Sequence, residues 1–370
     1  MNKVRVKAPG RINIIGEHTD YNDGFVLPAA IDKYIEFEIQ TDSSIHYSSI
    51  TAIDKGENLK FLVQDEGNLY GGWGNYIQGV VQVLKQLRPG QIKNFKASFK
   101  GNIPQGSGLS SSAALEMSLA KGLNSLFSLQ LNDMELIKAA QIAEHKYVGT
   151  QCGIMDQFAS MMGRANHSIL LDCKTLDYDY IPMQMKDYKW LIINSNIHHE
   201  LASSAYNQRR NECQEGVEIL RKYEGNITSL RDISPALLAF HKHSFPPNIF
   251  NRCLHVVEEN QRVLQVVEAM EQGNIQTIGK KITASHTSLK DLYEVSCPEI
   301  DFLVENVQLL DGVLGARMMG GGFGGCTLNL LHRSFDEVQL SPLLETYQNQ
   351  FGVTPDILPF TIVDGAHLLD

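Results

Sequence analysis

The sequence predicts an α/β (α+β) protein of two domains, and three observations lead there. Period-two alternation of apolar and polar residues marks strands around glycine-rich loops in the first 180 residues. Helical spacing dominates from about Tyr206 to Leu310. After that the chain returns to glycine and strand-like sequence. At 370 residues, 43% of them hydrophobic, the chain can bury a large core and divide once or twice. The change from strand-led to helix-led sequence near residues 175–200 places the boundary, drawn as 1–180 and 181–370.

Each element has its own signal. Val4 and Val6 alternate with Lys3, Arg5 and Lys7, and Ile35, Phe37 and Ile39 alternate with Glu36 and Glu38, as in half-buried strands. A third alternation, Phe95, Ala97 and Phe99, leads through Gly101–Gly108 into a helix over about Ser110–Asn124. Asn132 or Asp133 starts the next helix, and Gly149 stops it. A short helix through Met162 follows, with strands expected at 168–172 and 190–194. The last part predicts a strand at 326–331, a helix near 335–351 and a strand at 360–363.

Composition excludes several functions. A formal net charge of -10 argues against nucleic acid as a partner. Six scattered cysteines form no Cys-x-x-Cys pair and read as reduced thiols rather than disulfides or a zinc site. No apolar run reaches membrane-spanning length, so a soluble, cytoplasmic chain without a membrane partner is expected, with a monomer as the working expectation. His199-Glu200 does not continue as His-Glu-x-x-His, because Ser203 stands at the second histidine position. His145 and His286 read as satisfied in structure or in solvent rather than as ligands.

Three segments carry chemistry. Gly101–Glu116 packs glycines and Ser110, Ser111 and Ser112 just before a helix, where free N–H groups and the helix dipole favour phosphate. By spacing alone it is either an anion cradle or a serine-capped turn. No Walker P-loop sequence occurs, and the Gly-x-Gly-x-x-Gly match at Gly320, Gly322 and Gly325 opens a strand rather than a helix. It reads as a turn between strands, and spacing does not decide whether that turn also lines a ligand site. Pro9–Gly24 gathers Arg11, Glu17, His18, Asp20 and Asp23, either to bind vicinal hydroxyls or as a solvated charged loop. Ala143–Gln157 sets Glu144 and Asp156 around two glycine breaks, as a metal ligand and a base or as two ordinary surface carboxylates.

These segments together resemble the galactokinase family of GHMP kinases. PGRINIIGEHTDYNDGFVLP is similar to the galactokinase signature, NIPQGSGLSSSAALE to the GHMP phosphate loop and MMGGGFGG to the third GHMP motif; EHKYVGTQCGIMDQF and SNIHHELASSAYNQRR add to the resemblance. The resemblance implies an N-terminal ribosomal-protein-S5-domain-2-like domain and a C-terminal α/β domain, with the active site between them. It implies transfer of the γ-phosphate of ATP to the anomeric hydroxyl of galactose. Asp156 would accept the proton and Arg11 would lie between it and the phosphate. An unperturbed aspartate ionises near about pH 3.9, far below a sugar hydroxyl, so it takes the proton only as the new bond forms.

By the same resemblance, Ser112 and Glu144 would hold Mg2+, and the backbone of Gly106, Ser107, Gly108, Leu109, Ser110, Ser111 and Ser112 would hold the ATP phosphates. Glu17, His18, Asp20, Gly153 and Tyr206 would line the sugar, with Asp20 at O3 and O4. Trp73 would border adenine, and Gly321 and Gly322 would close over the reacting groups. Ala114 and Ser107 depart slightly from the family pattern. Other GHMP sugar kinases, acting on N-acetylgalactosamine or arabinose, share the ATP half of this pattern, whereas Thr19 and GEHTDYN point to galactose. A non-catalytic galactose and ATP sensor is the rival of another class; the intact Ser112-Ala113 pair argues against it.

Overall fold

The computed structural model describes residues 2–370 except Glu66, Asn68, Gln184 and 199–201. The His199-Glu200 pair therefore lies outside the described residues. The long alternating segments form the strands Asn2–Asn13 and Pro28–Thr41, paired antiparallel with Val6 opposite Phe37 and Val4 opposite Ile39. Register follows burial, because a one-residue slip would turn this apolar row to solvent. Around this pair a six-stranded sheet runs in the order His367–Leu369, Asn2–Asn13, Pro28–Thr41, Lys96–Gly101, Ser48–Ala52 and Glu57–Phe61. Its outermost strand comes from the far end of the chain, with Arg5 opposite Leu369. A cut at 180/181 thus separates this strand from the sheet it completes.

Helices Trp73–Leu87, Ser111–Leu126, Asp133–Ala143 and Met155–Met162 cluster beside this sheet. The helix Asp133–Ala143 begins as its sequence predicts. Asn132 accepts from the Glu135 N–H at 2.9 Å, and Glu135 returns a carboxylate to the Asn132 N–H at 2.8 Å, a reciprocal cap. It ends in a π-helical turn, Glu144–Val148, stopped by Gly149 in the left-handed region (φ 88°). That turn buries Glu144 instead of leaving it on the helix surface.

The second sheet orders Val313–Met319, Gly324–His332, Tyr188–His198 and Asp356–Leu358, all antiparallel. Helices Ala202–Arg221, Pro247–Glu271, Ile275–Ser288 and Pro298–Val307 make up the helix-rich stretch. A small sheet of Phe25–Val26, His167–Asp172 and Tyr178–Pro182 lies between in sequence. Two expectations change. The helix near 335–351 opens as a 3-10 turn, Glu337–Leu340, and is α-helical only over Ser341–Phe351, with Pro342 in its first turn. The strand at 360–363 is reduced to an isolated bridge from Ile362 to Ile31 after Pro359, and regular pairing falls at Asp356–Leu358 instead.

The largest hydrophobic cluster joins Ile12, Ile14 and Phe37 to Val263, Val266, Met319 and Cys326, so the core is continuous across the two halves. Among the described residues no helix is long and apolar enough to cross a membrane. All six cysteines are unpaired. Phe37, 1% exposed and 5.0 Å from the ring of Phe99, anchors the first sheet. Phe37→Ala is expected to cost about 3–5 kcal/mol of stability, read as a lowered urea midpoint with unchanged slope.

Candidate active site

The site is built around Arg11, which the first strand carries into the interior. Its Nε donates to Asp156 Oδ1 at 2.8 Å and its Nη2 to Asp156 Oδ2 at 2.9 Å, a two-pronged pair with the arginine side chain 5% exposed. Arg11 Nη1 donates to the Gly108 carbonyl, and the Arg11 backbone N–H donates to the Leu109 carbonyl at 3.1 Å. Ser110 adds its hydroxyl to Asp156 Oδ2. One side chain therefore joins the first strand, the glycine loop and the helix Met155–Met162.

A cavity of about 230 Å³ opens over this junction. Arg11, Gly106 to Ser112, Asp156, Met319, Gly321, Gly322, Gly324 and Gly325 line it. The helix Ser111–Leu126 begins at its edge, so free N–H groups of its first turn are available to an anion. The glycine turn after Val313–Met319 meets the loop Gly106–Ser112 back to back. A Cβ on Gly320 would lie 3.3 Å from the Gly108 carbonyl oxygen, and one on Gly108 would lie 3.3 Å from that of Met319, both at positive φ. The turn between strands is thus also a cavity wall, a question its spacing left open.

Glu17, His18, Asp20 and Tyr206 lie outside this cavity's lining, although the loop carrying the first three follows Arg11 directly. Glu17 is buried, with Oε1 accepting from the Gly320 N–H at 2.8 Å and paired with Arg317 at 2.8 Å. His18, in the left-handed region, has its ring 5.4 Å from that of Tyr206 at a tilt of 40°, and the Tyr206 ring borders Gly321. Its Nδ1 bonds Tyr21 Oη at 2.7 Å, and Tyr21 continues to Tyr293 Oη at 2.8 Å. His18 Nε2 is buried with no hydrogen-bond partner among the described residues. Burial holds the imidazole neutral, with its pKa lowered to about 3.

Asp20 packs so closely on Gly153 that a Cβ there would fall 2.0 Å from its carboxylate oxygen. Burial, then the nearby Asp156 charge, raises Asp20 to about 7. Trp73 begins its helix away from the lined cavity, edge-on to Phe99 at 5.3 Å and donating its indole N–H to Glu57.

Glu144 and Glu116 form a buried pair that Gln157 bridges. The Gln157 amide donates to Glu144 Oε2 at 2.8 Å and to Glu116 Oε2 at 3.1 Å. Burial raises both carboxyls, with the Asp156 charge adding to Glu144 and the Glu144 charge to Glu116. Glu116 Oε1 has no partner among the described residues. This excess of buried carboxylate oxygen suits a cation, and a serine hydroxyl and carboxylate are the hard donors Mg2+ takes alongside phosphate oxygens. Among the described residues no group of three or more His, Cys, Asp or Glu side chains is arranged to hold a metal. Ser112 lines the cavity itself. His145 and His286 are structural: one bonds the Cys152 carbonyl at 2.8 Å, the other accepts from the Met318 N–H at 3.3 Å.

The comparisons agree on one family. Residues 2–40 match the galactokinase galactose-binding signature, 75–164 the GHMP kinases N terminal domain and 266–339 the GHMP kinases C terminal family. A Thermotoga neapolitana galactokinase is 42% identical over 98% of this chain and 99% of that protein; one from Thermosipho africanus is 42% identical over the same shares. The chain belongs to the galactokinase family. It is an ATP-dependent sugar kinase with the two-domain GHMP-kinase fold. The crystal structure of Lactococcus lactis galactokinase complexed with galactose superposes with a TM-score of 0.93 at 35% identity, covering 99% of this chain and 95% of that one. Methanococcus jannaschii mevalonate kinase, at 19% identity and TM-score 0.68 over 97% and 98%, shares the fold.

Family motifs pointed to Arg11, Asp156 and the phosphate loop. Sequence reasoning missed the roles of Glu116 and Gln157, although both fall within quoted motifs, and of Tyr21, one residue past Asp20. Tyr293 and Arg317 carried no local signal. Asp20 yields a pH test. The folded chain holds its proton up to about pH 7, whereas the unfolded chain releases it near the ordinary 3.8. Folded protein therefore binds more protons between those values and loses stability as pH rises across them. Asp20→Asn should raise the melting temperature of ligand-free protein relative to wild type at pH 8 and leave little difference at pH 4.

Proposed function

We propose that the chain transfers the γ-phosphate of ATP to the anomeric hydroxyl of galactose, with Asp156 as base. The observation that carries this reading is the Arg11–Asp156 pair at the floor of a cavity walled by two glycine loops. Phosphoryl transfer asks mainly for positioning and charge stabilisation, and this site supplies both. ATP phosphates would lie on the N–H groups of Gly106 to Ser112, with Trp73 bordering adenine.

In the proposed step the sugar oxygen bonds to the γ-phosphorus as the bond to the bridging β,γ-oxygen breaks, and the hydroxyl proton passes to Asp156. Among the described residues Oδ1 accepts only from Arg11 Nε, which leaves this oxygen a lone pair for that proton. Arg11 would offset charge on the equatorial oxygens, and Ser110 and the arginine fork would keep the carboxylate from rotating away. Ser112 and Glu144 would hold Mg2+. When bound, the ion neutralises phosphate charge.

Galactose as the acceptor is supported by the galactose-binding signature at residues 2–40 and by the galactose named in the complex with 35% identity. Glu17, His18, Asp20, Tyr206 and Gly153 would line it. The neutral imidazole of His18 and the carboxyl groups of this loop are hydrogen-bonding partners for hydroxyls, and a sugar lacking the matching hydroxyl would leave them unpaired. The division near residues 180/181, with the terminal strand returning to the first sheet, would set ligands between the halves. Unpaired thiols suit a reducing compartment, so we assign the activity to the cytoplasm.

Pure protein given ATP, Mg2+ and a panel of sugars should turn over galactose faster than N-acetylgalactosamine or arabinose; a better rate with either rival would replace the assigned substrate. Asp156→Asn should lower kcat by about 10²–10⁴-fold while calorimetry finds galactose still bound. Turnover near the wild-type rate would remove Asp156 from the role of base.

A further inference from the structure

The loop of residues 16–25 is tied internally by the Thr19 hydroxyl to the Gly16 and Phe25 carbonyls, and one helix of the other half bonds both of its ends from outside. At its entrance the Gly16 N–H donates to Glu259 Oε1 at 3.0 Å; at its exit the Phe25 N–H donates to Asn260 Oδ1 at 2.8 Å. One turn earlier on the same helix, His255 Nε2 bonds the Glu17 carbonyl at 3.2 Å. The fit is close, since a Cβ on Gly24 would stand 2.3 Å from Asn260 Oδ1. All three side chains are buried.

The Glu259 acceptor and the His255 donor are themselves held by further bonds. Glu259 Oε2 receives Arg262 Nε at 2.6 Å, and Oε1 also receives the Ser285 hydroxyl at 2.6 Å. Burial pushes the Glu259 carboxyl up, but Arg262, His255, Arg317 and Ser285 outweigh it and bring it to about 2, so the acceptor is charged at neutral pH. Burial lowers His255 to about 4, which leaves a neutral ring donating from Nε2 while Nδ1 accepts from Ser288 at 2.8 Å. Ser288 in turn takes a bond from Arg262 at 3.1 Å. The loop thus adds to its own turns a charged acceptor from this helix at its entrance and an amide acceptor at its exit.

We propose that His255, Glu259 and Asn260 are positioning residues for the sugar: the helix Pro247–Glu271 clamps both ends of loop 16–25 and so sets where Glu17, His18 and Asp20 stand. The proposal rests on the reading of that loop as the sugar site. Ground-state and transition-state sugar depend on the same frame, whereas ATP does not touch it. Loosening the clamp therefore raises the sugar KM and spares the ATP KM.

Asn260→Leu removes the acceptor at Phe25, and Asn260→Asp keeps it while replacing an amide nitrogen that has no partner among the described residues. Steady-state kinetics for both, with Asp20→Asn as reference and amide hydrogen exchange read by mass spectrometry, make the test. The expected result is a galactose KM raised about tenfold in Asn260→Leu, from one lost buried hydrogen bond, with the ATP KM within about twofold. Exchange should accelerate over 16–25 and not over 105–125, and Asn260→Asp should restore the galactose KM. An unchanged galactose KM in Asn260→Leu, or equal rises in both KM values, overturns the clamp. If Asp20→Asn also leaves the galactose KM unchanged, the sugar reading of the loop falls with it; if Asp20→Asn raises it, the clamp alone is wrong.

Discussion

The site depends on the placement of one guanidinium. Arg11 is buried on the first strand, and it spends four donors on the Gly108 and Leu109 carbonyls and on both oxygens of Asp156. Such a buried pair adds little net stability against an apolar alternative, because desolvation offsets most of the attraction. Its value is geometric. The planar fork fixes the carboxylate plane against the loop that would hold phosphate, and neither can shift without leaving a buried charge unpaired.

Around that pair the molecule tolerates an unusual concentration of acid. Asp20, Glu116 and Glu144 all lie close enough to Asp156 for its charge to raise them, and Arg11 is the cation bonded to Asp156. The ligand-free site is electrostatically strained, and the protein holds it together with neutral bridges such as the Gln157 amide and with continuous packing across both halves. Strain of this kind is reduced by cations and by hydroxyls that share protons, so affinity for ligands and instability without them have a common source.

Much of this was legible because function and local pattern coincide in the chain. The alternation at Val4 and Val6 and at Ile35, Phe37 and Ile39 is the register of the first sheet, and the run of glycines and serines before residue 111 is the cavity wall. The helix start at Asn132 was readable for the same reason, since its capping partner Glu135 lies within four residues. What escaped was long-range. Glu259 and Asn260 read as polar residues on an ordinary helix, and only folding brings them to loop 16–25, more than two hundred positions away. Tyr293 and Arg317 likewise acquire meaning through contacts with Tyr21 and Glu17. The strand expected at 360–363 failed because apolar character there serves a single bridge beside Pro359.

The pairing of Arg5 with Leu369 has a consequence for biosynthesis. A ribosome delivers the first strand long before its outer neighbour exists, so through most of translation one row of its backbone N–H and C=O groups stays unpaired. Contacts of such sequence separation close slowly, and an open strand edge invites pairing with another nascent chain. The half that would bind nucleotide is thus the earliest to be made and among the last to be finished, and the charged residues Lys3, Arg5 and Lys7 on that edge protect it in the interval.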